Sequence, residues 1–113
     1  RNNGNYALSR LLAQTEIKKG NYQSALAVLN SLLPEYENEP DLWYEIAETT
    51  GLANDIATLH QARAEYFYQT GSPGRALKQL NQALKKTEDN YQKTQIIRNR
   101  IKEIKEEQAN FKF

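Results

Sequence analysis

Apolar residues recur along this chain at helical spacing. Tyr22, Ala25, Leu26, Leu29, Leu32 and Leu33 recur at spacings of three and four, which places them on one face of an α-helix. Similar stripes are Leu8, Leu11 and Leu12; Leu42, Trp43, Ile46 and Ala47; Ile56, Leu59, Arg63, Tyr66 and Phe67; and Ala76, Leu77, Leu80, Ala83 and Leu84. The last, Tyr91, Thr94, Ile97, Ile101, Ile104, Gln108 and Phe111, moves in steps of three and four. Runs of alternating β-branched residues joined by Asn-Gly or Asp-Gly are missing. The pattern predicts an all-α chain of six helices, over about residues 5–19, 22–35, 40–50, 54–70, 73–87 and 90–109.

The punctuation fits that division. Gly20 and Gly71 fall where helices should end, at positions where a left-handed residue satisfies the last carbonyls. Ser72-Pro73 and Pro40-Asp41 open helices, since proline at the first helical position loses no hydrogen bond. Asp89 with Gln92 has the spacing of a capping box ahead of the last helix. Pro34 should stop or kink the second helix, because its ring excludes the donor of an interior turn.

An internal repeat decides the architecture. Residues 20–33 (GNYQSALAVLNSLL) and 71–84 (GSPGRALKQLNQAL) share the glycine, the alanine five residues on, and the Leu, Leu, Asn and Leu that follow. A shift of 34 from the first unit sets Ser9 against Trp43, Leu12 against Ile46, and Ala13 against Ala47. A 34-residue period with a bulky residue, a small one four later and a Gly-x-x-x-x-Ala turn resembles the tetratricopeptide repeat. The small residue lets paired helices approach and the bulky one fills the space beside it. Ala64 follows Ala47 by only 17, so the fourth helix should serve both as partner of the third and as first helix of the next unit. The predicted fold is a tetratricopeptide-like right-handed superhelix of about three antiparallel helix pairs, its final helix capping the array. Self-association through that last helix is the alternative use of its seam.

Composition narrows the function. The 113 residues fit one small domain, with no Cys, no Met and one His, so disulfide scaffolds and Cys-based zinc sites are excluded. The mean hydropathy of −0.83 and the lack of a long apolar run argue against a transmembrane segment. The opening Arg-Asn-Asn-Gly, in place of Met or an apolar leader, gives the expectation that this is a piece of a longer protein. The formal charge of +1 conceals an acidic first part, 5 Lys/Arg against 9 Asp/Glu to Thr70, and a basic remainder with 10 against 5. Those basic residues alternate with glutamates, as on a solvated helix face, and no nucleic-acid-binding motif accompanies them.

A narrower resemblance lies in the run Leu59-His60-Gln61-Ala62-Arg63-Ala64-Glu65-Tyr66-Phe67, with Gly71 and Arg75-Ala76-Leu77-Lys78-Gln79-Leu80 after it. It is similar to the C-terminal tetratricopeptide region of bacterial periplasmic HExxH zinc metalloproteases of the beta-barrel assembly-enhancing kind. That resemblance covers most of the chain and is most specific over residues 43–84. It implies a periplasmic location and an N-terminal zinc protease domain, with repeats that engage outer-membrane protein assembly components, misfolded clients or their own protease domain. This chain has no HExxH, so what the resemblance brings is the recruiting arm; zinc is expected only in the missing protease domain.

Candidate chemistry within the chain is sparse. His60 is the one possible general base, and it aligns with Trp43 and Ser9 at a packing position, with no Ser, Cys or ligand set spaced to use it. Glu45 and Glu48 are three apart but lack an apolar pocket signature, and Gly71-Ser72-Pro73-Gly74 lacks the lysine of a phosphate loop. No catalytic residue and no cofactor is assigned. The repeat register instead predicts a peptide-binding groove lined by Arg10, Gln14 and Lys18 of the first helix, Tyr44 and Glu48 of the third, and Gln61, Glu65 and Tyr68 of the fourth, with Ile17, Asp41 and Gln69 nearby. Tyr44 and Tyr68 are its candidate anchors, whereas Tyr22, Tyr36 and Tyr66 fall on core-facing stripes. The alternative is a structural or oligomerising repeat whose groove is filled by its own parent chain.

Overall fold

A computed structural model describes residues 3–110, so Phe111 of the last stripe lies outside them. Six helices follow in order: α1 (Asn3–Lys18), α2 (Tyr22–Tyr36), α3 (Pro40–Leu52), α4 (Ile56–Gln69), α5 (Pro73–Leu84) and α6 (Tyr91–Asn110). There is no strand among the described residues. Each helix packs on its neighbours in sequence, as short connections between antiparallel helices require. The result is a slab of 45 × 36 × 20 Å.

Three turns share one termination. Gly20 and Gly71 have φ of 81° and 87°, and Asn54 sits at 62°. In each case the next amide bonds back five residues, Asn21 to Glu16, Asp55 to Thr50 and Ser72 to Phe67, at 2.8, 2.9 and 2.8 Å. These are left-handed caps that satisfy orphan carbonyls. Asn54 stands 34 residues after Gly20, at the same register, where asparagine's tolerance of that conformation replaces glycine's freedom.

The helix starts depart from expectation at two points. Ser72 precedes Pro73 but makes no side-chain cap bond. The cap of α6 is Asn90, whose Oδ1 accepts the Lys93 amide at 2.9 Å, instead of Asp89. Pro34 also does not end α2, which runs on to Tyr36.

The small residues are where the repeat places them. Ala13 and Ala64 are fully buried and Ala47 is 4% exposed. Ala62 of α4 belongs to a core with Ala13, Leu29, Leu42, Ile46 and Ala47, while Ala64, two residues on, belongs to a second core with Ala76, Leu80, Ile97 and Ile104. Helix α4 is thus shared by both halves, and Arg63 is its one exposed residue. Its buried positions are alanines, because a helix with neighbours on opposite sides needs close approach on each.

Two apolar expectations fail at the ends of the array. Leu8, Leu11 and Leu12 are 65%, 59% and 51% exposed, since α1 packs on α2 with its other side and no described element covers these leucines. Leu12 shares its register with Ile46, which is 2% exposed because α2 lies behind α3. Likewise Tyr91 is exposed, while Ile97 and Ile104 carry the α6 contact.

Candidate protein-binding groove

Two pairs of helices that are not consecutive are tied by arginine–glutamate contacts at one repeat's distance. Arg10 Nε of α1 donates to Glu45 Oε1 of α3 at 2.9 Å, and Gln14 Nε2 to the same carboxylate at 3.0 Å. On the other side of the array, Arg100 of α6 meets Glu65 of α4 in a two-pronged pair, Nε to Oε2 at 2.8 Å and Nη2 to Oε1 at 3.0 Å. Its Nη1 also donates to Glu103 at 3.1 Å. The fork geometry fixes both side chains and makes these charge-assisted bonds directional. Burial works against the Arg100 charge, but the Glu65 carboxylate overrides it and holds the guanidinium well above its ordinary range.

These long side chains bridge α4 and α6 across a trough bordered by α3, α4 and α6. It consists of two adjoining hollows of about 350 and 440 Å³ that share Trp43, Glu65, Arg100 and Glu103. Gln61 and Ile96 line the first; Glu37, Tyr68, Gln69 and Glu107 line the second. Trp43 is half-buried between them, with its indole N–H donated to the Glu37 carbonyl at 2.7 Å. The Arg100 guanidinium lies 4.8 Å from the Tyr68 ring centre, and the Tyr68 hydroxyl donates to Glu107. That hydrogen bond and, next, burial push the Tyr68 phenol above its ordinary value.

The eight residues expected in one groove are divided among several places. Gln61, Glu65 and Tyr68 line the trough. Tyr44 and Glu48 line a separate hollow of about 200 Å³ with Ala47, Arg63, Tyr66 and Phe67. The two sets cannot share a surface, because Arg63, Tyr66 and Phe67 project from the opposite side of α4 to Gln61, Glu65 and Tyr68. Arg10 and Gln14 are engaged by Glu45 and line neither hollow, and Lys18 is exposed near the end of α1. Gln69, expected nearby, does join the trough.

Sequence reasoning missed the α6 wall, Ile96, Arg100, Glu103 and Glu107, because it expected that helix to cap the array or to self-associate, and not to border a groove. A signal was present: Arg10 and Glu45, and Glu65 and Arg100, are each 35 residues apart with opposite charges. Trp43 was read as packing alone, whereas it packs and also lines both hollows.

The candidate acid–base groups, His60 and Glu45, each have a side-chain partner within the fold. His60 Nδ1 lies 2.7 Å from Gln79 Oε1, a tie between α4 and α5. Glu45 is occupied by Arg10 and Gln14. Among the described residues no group of three His, Cys, Asp or Glu is placed to hold a metal ion. No helix there is long and apolar enough to cross a membrane.

The stacked helix pairs, small-residue contacts and left-handed turns at a 34-residue interval define a helical-repeat protein with a tetratricopeptide-like fold. The tetratricopeptide repeat family matches the chain over residues 1–47, which span α1, α2 and the first part of α3. That partial match, together with the helix-pair stacking, supports a tetratricopeptide-like repeat, a kind of unit that in general serves protein–protein interaction. No curated protein matches the sequence.

Proposed function

We propose that the chain binds a segment of a partner protein in the α3–α4–α6 trough, and that it is the recruiting arm of a periplasmic zinc metalloprotease in outer-membrane protein assembly and quality control. The observation that carries the binding reading is the trough itself: a half-buried tryptophan between two hollows, bordered by amides and carboxylates. Aromatic surface supplies contact area there and polar groups set register, as in other peptide-binding grooves. The tetratricopeptide match supports the same class of function. The protease context and the periplasmic location rest on the resemblance of the α4–α5 run, residues 59–80. On this reading the hydrolytic zinc belongs to another domain, and the arm delivers assembly components or misfolded clients to it.

A photo-cross-linking residue in place of Gln61, within the full-length protein in its own cell, tests the proposal. Cross-linking to a different polypeptide, reduced by Tyr68→Ala while the helical circular dichroism at the assay temperature is retained, is the expected result. Cross-links confined to the same polypeptide mean that the groove is filled by its own chain, and the recruiting role is then wrong.

A further inference from the structure

We infer that the trough selects a peptide carrying a basic side chain next to a large apolar one. This rests on the reading of the trough as a binding site and adds the chemistry of its occupant. The two hollows form one continuous feature, because Trp43, Glu65, Arg100 and Glu103 border both, but their ends differ. At one end Ile96 is 60% exposed beside Trp43, above Leu80. The indole N–H is already donated to Glu37, so the ring presents carbon to an occupant. An aliphatic or aromatic side chain seated there removes apolar surface from water on both partners.

The other end is acidic. Glu37, Glu65, Glu103 and Glu107 border the second hollow, against the single guanidinium of Arg100. That guanidinium is committed to Glu65 through two bonds and to Glu103 through a third, so it offers little to an incoming anion. Four carboxylates around one cation give this end a negative field on a chain whose formal charge is +1. A concave site lined by one sign of charge concentrates the opposite sign. A lysine or arginine of the occupant satisfies the surplus, and its position beside Trp43 allows a cation–π contact. An acidic peptide or a nucleic acid meets repulsion at the same place.

Trp43 is the protein's one tryptophan, so its fluorescence reports occupancy of both hollows. The probes are two acetylated ten-residue peptides with the same Leu-Leu centre, one flanked by lysines and the other by glutamates at the same positions. The lysine peptide should shift Trp43 emission saturably and bind at least about tenfold more tightly than the glutamate peptide in low salt, with the gap narrowing as salt is added. Glu37→Lys combined with Glu103→Lys, both at exposed positions, should reverse that order while the circular dichroism stays unchanged. Equal binding of the two peptides, no emission change with either, or a lysine preference that survives the double reversal each overturns the inference. Partner capture at Gln61 is independent of these outcomes, so the groove can stand when its charge preference falls.

Discussion

Removing the Glu65 carboxylate while leaving Arg100 in place tests whether the α4–α6 tie holds the last helix on the array. Glu65 and Arg100 side chains are 17% and 27% exposed, and they meet through two bonds of 2.8 and 3.0 Å. Breaking a fully buried pair costs about 3–5 kcal/mol and an exposed pair about 0.2–1 kcal/mol. The partial burial here places Glu65→Ala at about 2 kcal/mol. Arg100 cannot escape by losing its proton, since arginine stays charged throughout the accessible pH range. For a domain of this size about 1 kcal/mol moves the melting temperature by about 4–8 °C, so a fall of about 8–16 °C is expected in thermal unfolding followed by circular dichroism. Glu103→Ala is the internal control. It removes a carboxylate that contacts the same arginine but is 61% exposed, and it should cost about 0.5 kcal/mol or less. Equal losses from the two variants would refute the argument, because they share the charge removed and differ in burial.

Three further outcomes follow from local geometry. Burial raises the Tyr6 phenol and the Glu107 contact raises that of Tyr68, both from 10.0; a raised value adds stability that is present below pH 10 and is lost as pH climbs through the folded-state values. Melting temperatures between pH 8 and 11.5 should therefore drop at the alkaline end, and Tyr6→Phe with Tyr68→Phe should flatten that drop. Asn54, at φ 62°, should tolerate glycine with a gain of a few tenths of a kcal/mol, whereas Asn54→Ala should cost about 1 kcal/mol in urea unfolding. Ile46→Ala should cost about 2–4 kcal/mol and Leu12→Ala about 0.5 kcal/mol or less, although the two occupy the same repeat position; comparable costs would mean that Leu12 is covered in solution.

The repeat was legible because packing needs small residues at fixed intervals. Ala13, Ala47 and Ala64 could be found by spacing, and so could the role of α4 in both halves, since a half-period between alanines leaves one helix to serve two neighbours. The cap of α6 was misread by one residue because Asp89 and Asn90 are both good caps and only the path of the backbone chooses between them. The candidate groove was less legible. Gln61, Glu65 and Tyr68 share a face by helical period, but no periodicity within α4 states which other helices stand beside that face.

The amino-acid order by itself determined six helices, their turns and the interval at which they repeat, because hydrogen bonding and side-chain spacing within each helix are local. Tertiary structure alone decided which stripes are covered. Leu12 and Ile46 occupy one register, yet only Ile46 has a helix behind it. It also decided that Arg100 reaches back 35 residues to Glu65 and that the last helix borders a trough. Burial and charge pairing depend on neighbours distant in sequence, and a repeat pattern specifies the neighbours within a unit more firmly than those at the array's two ends.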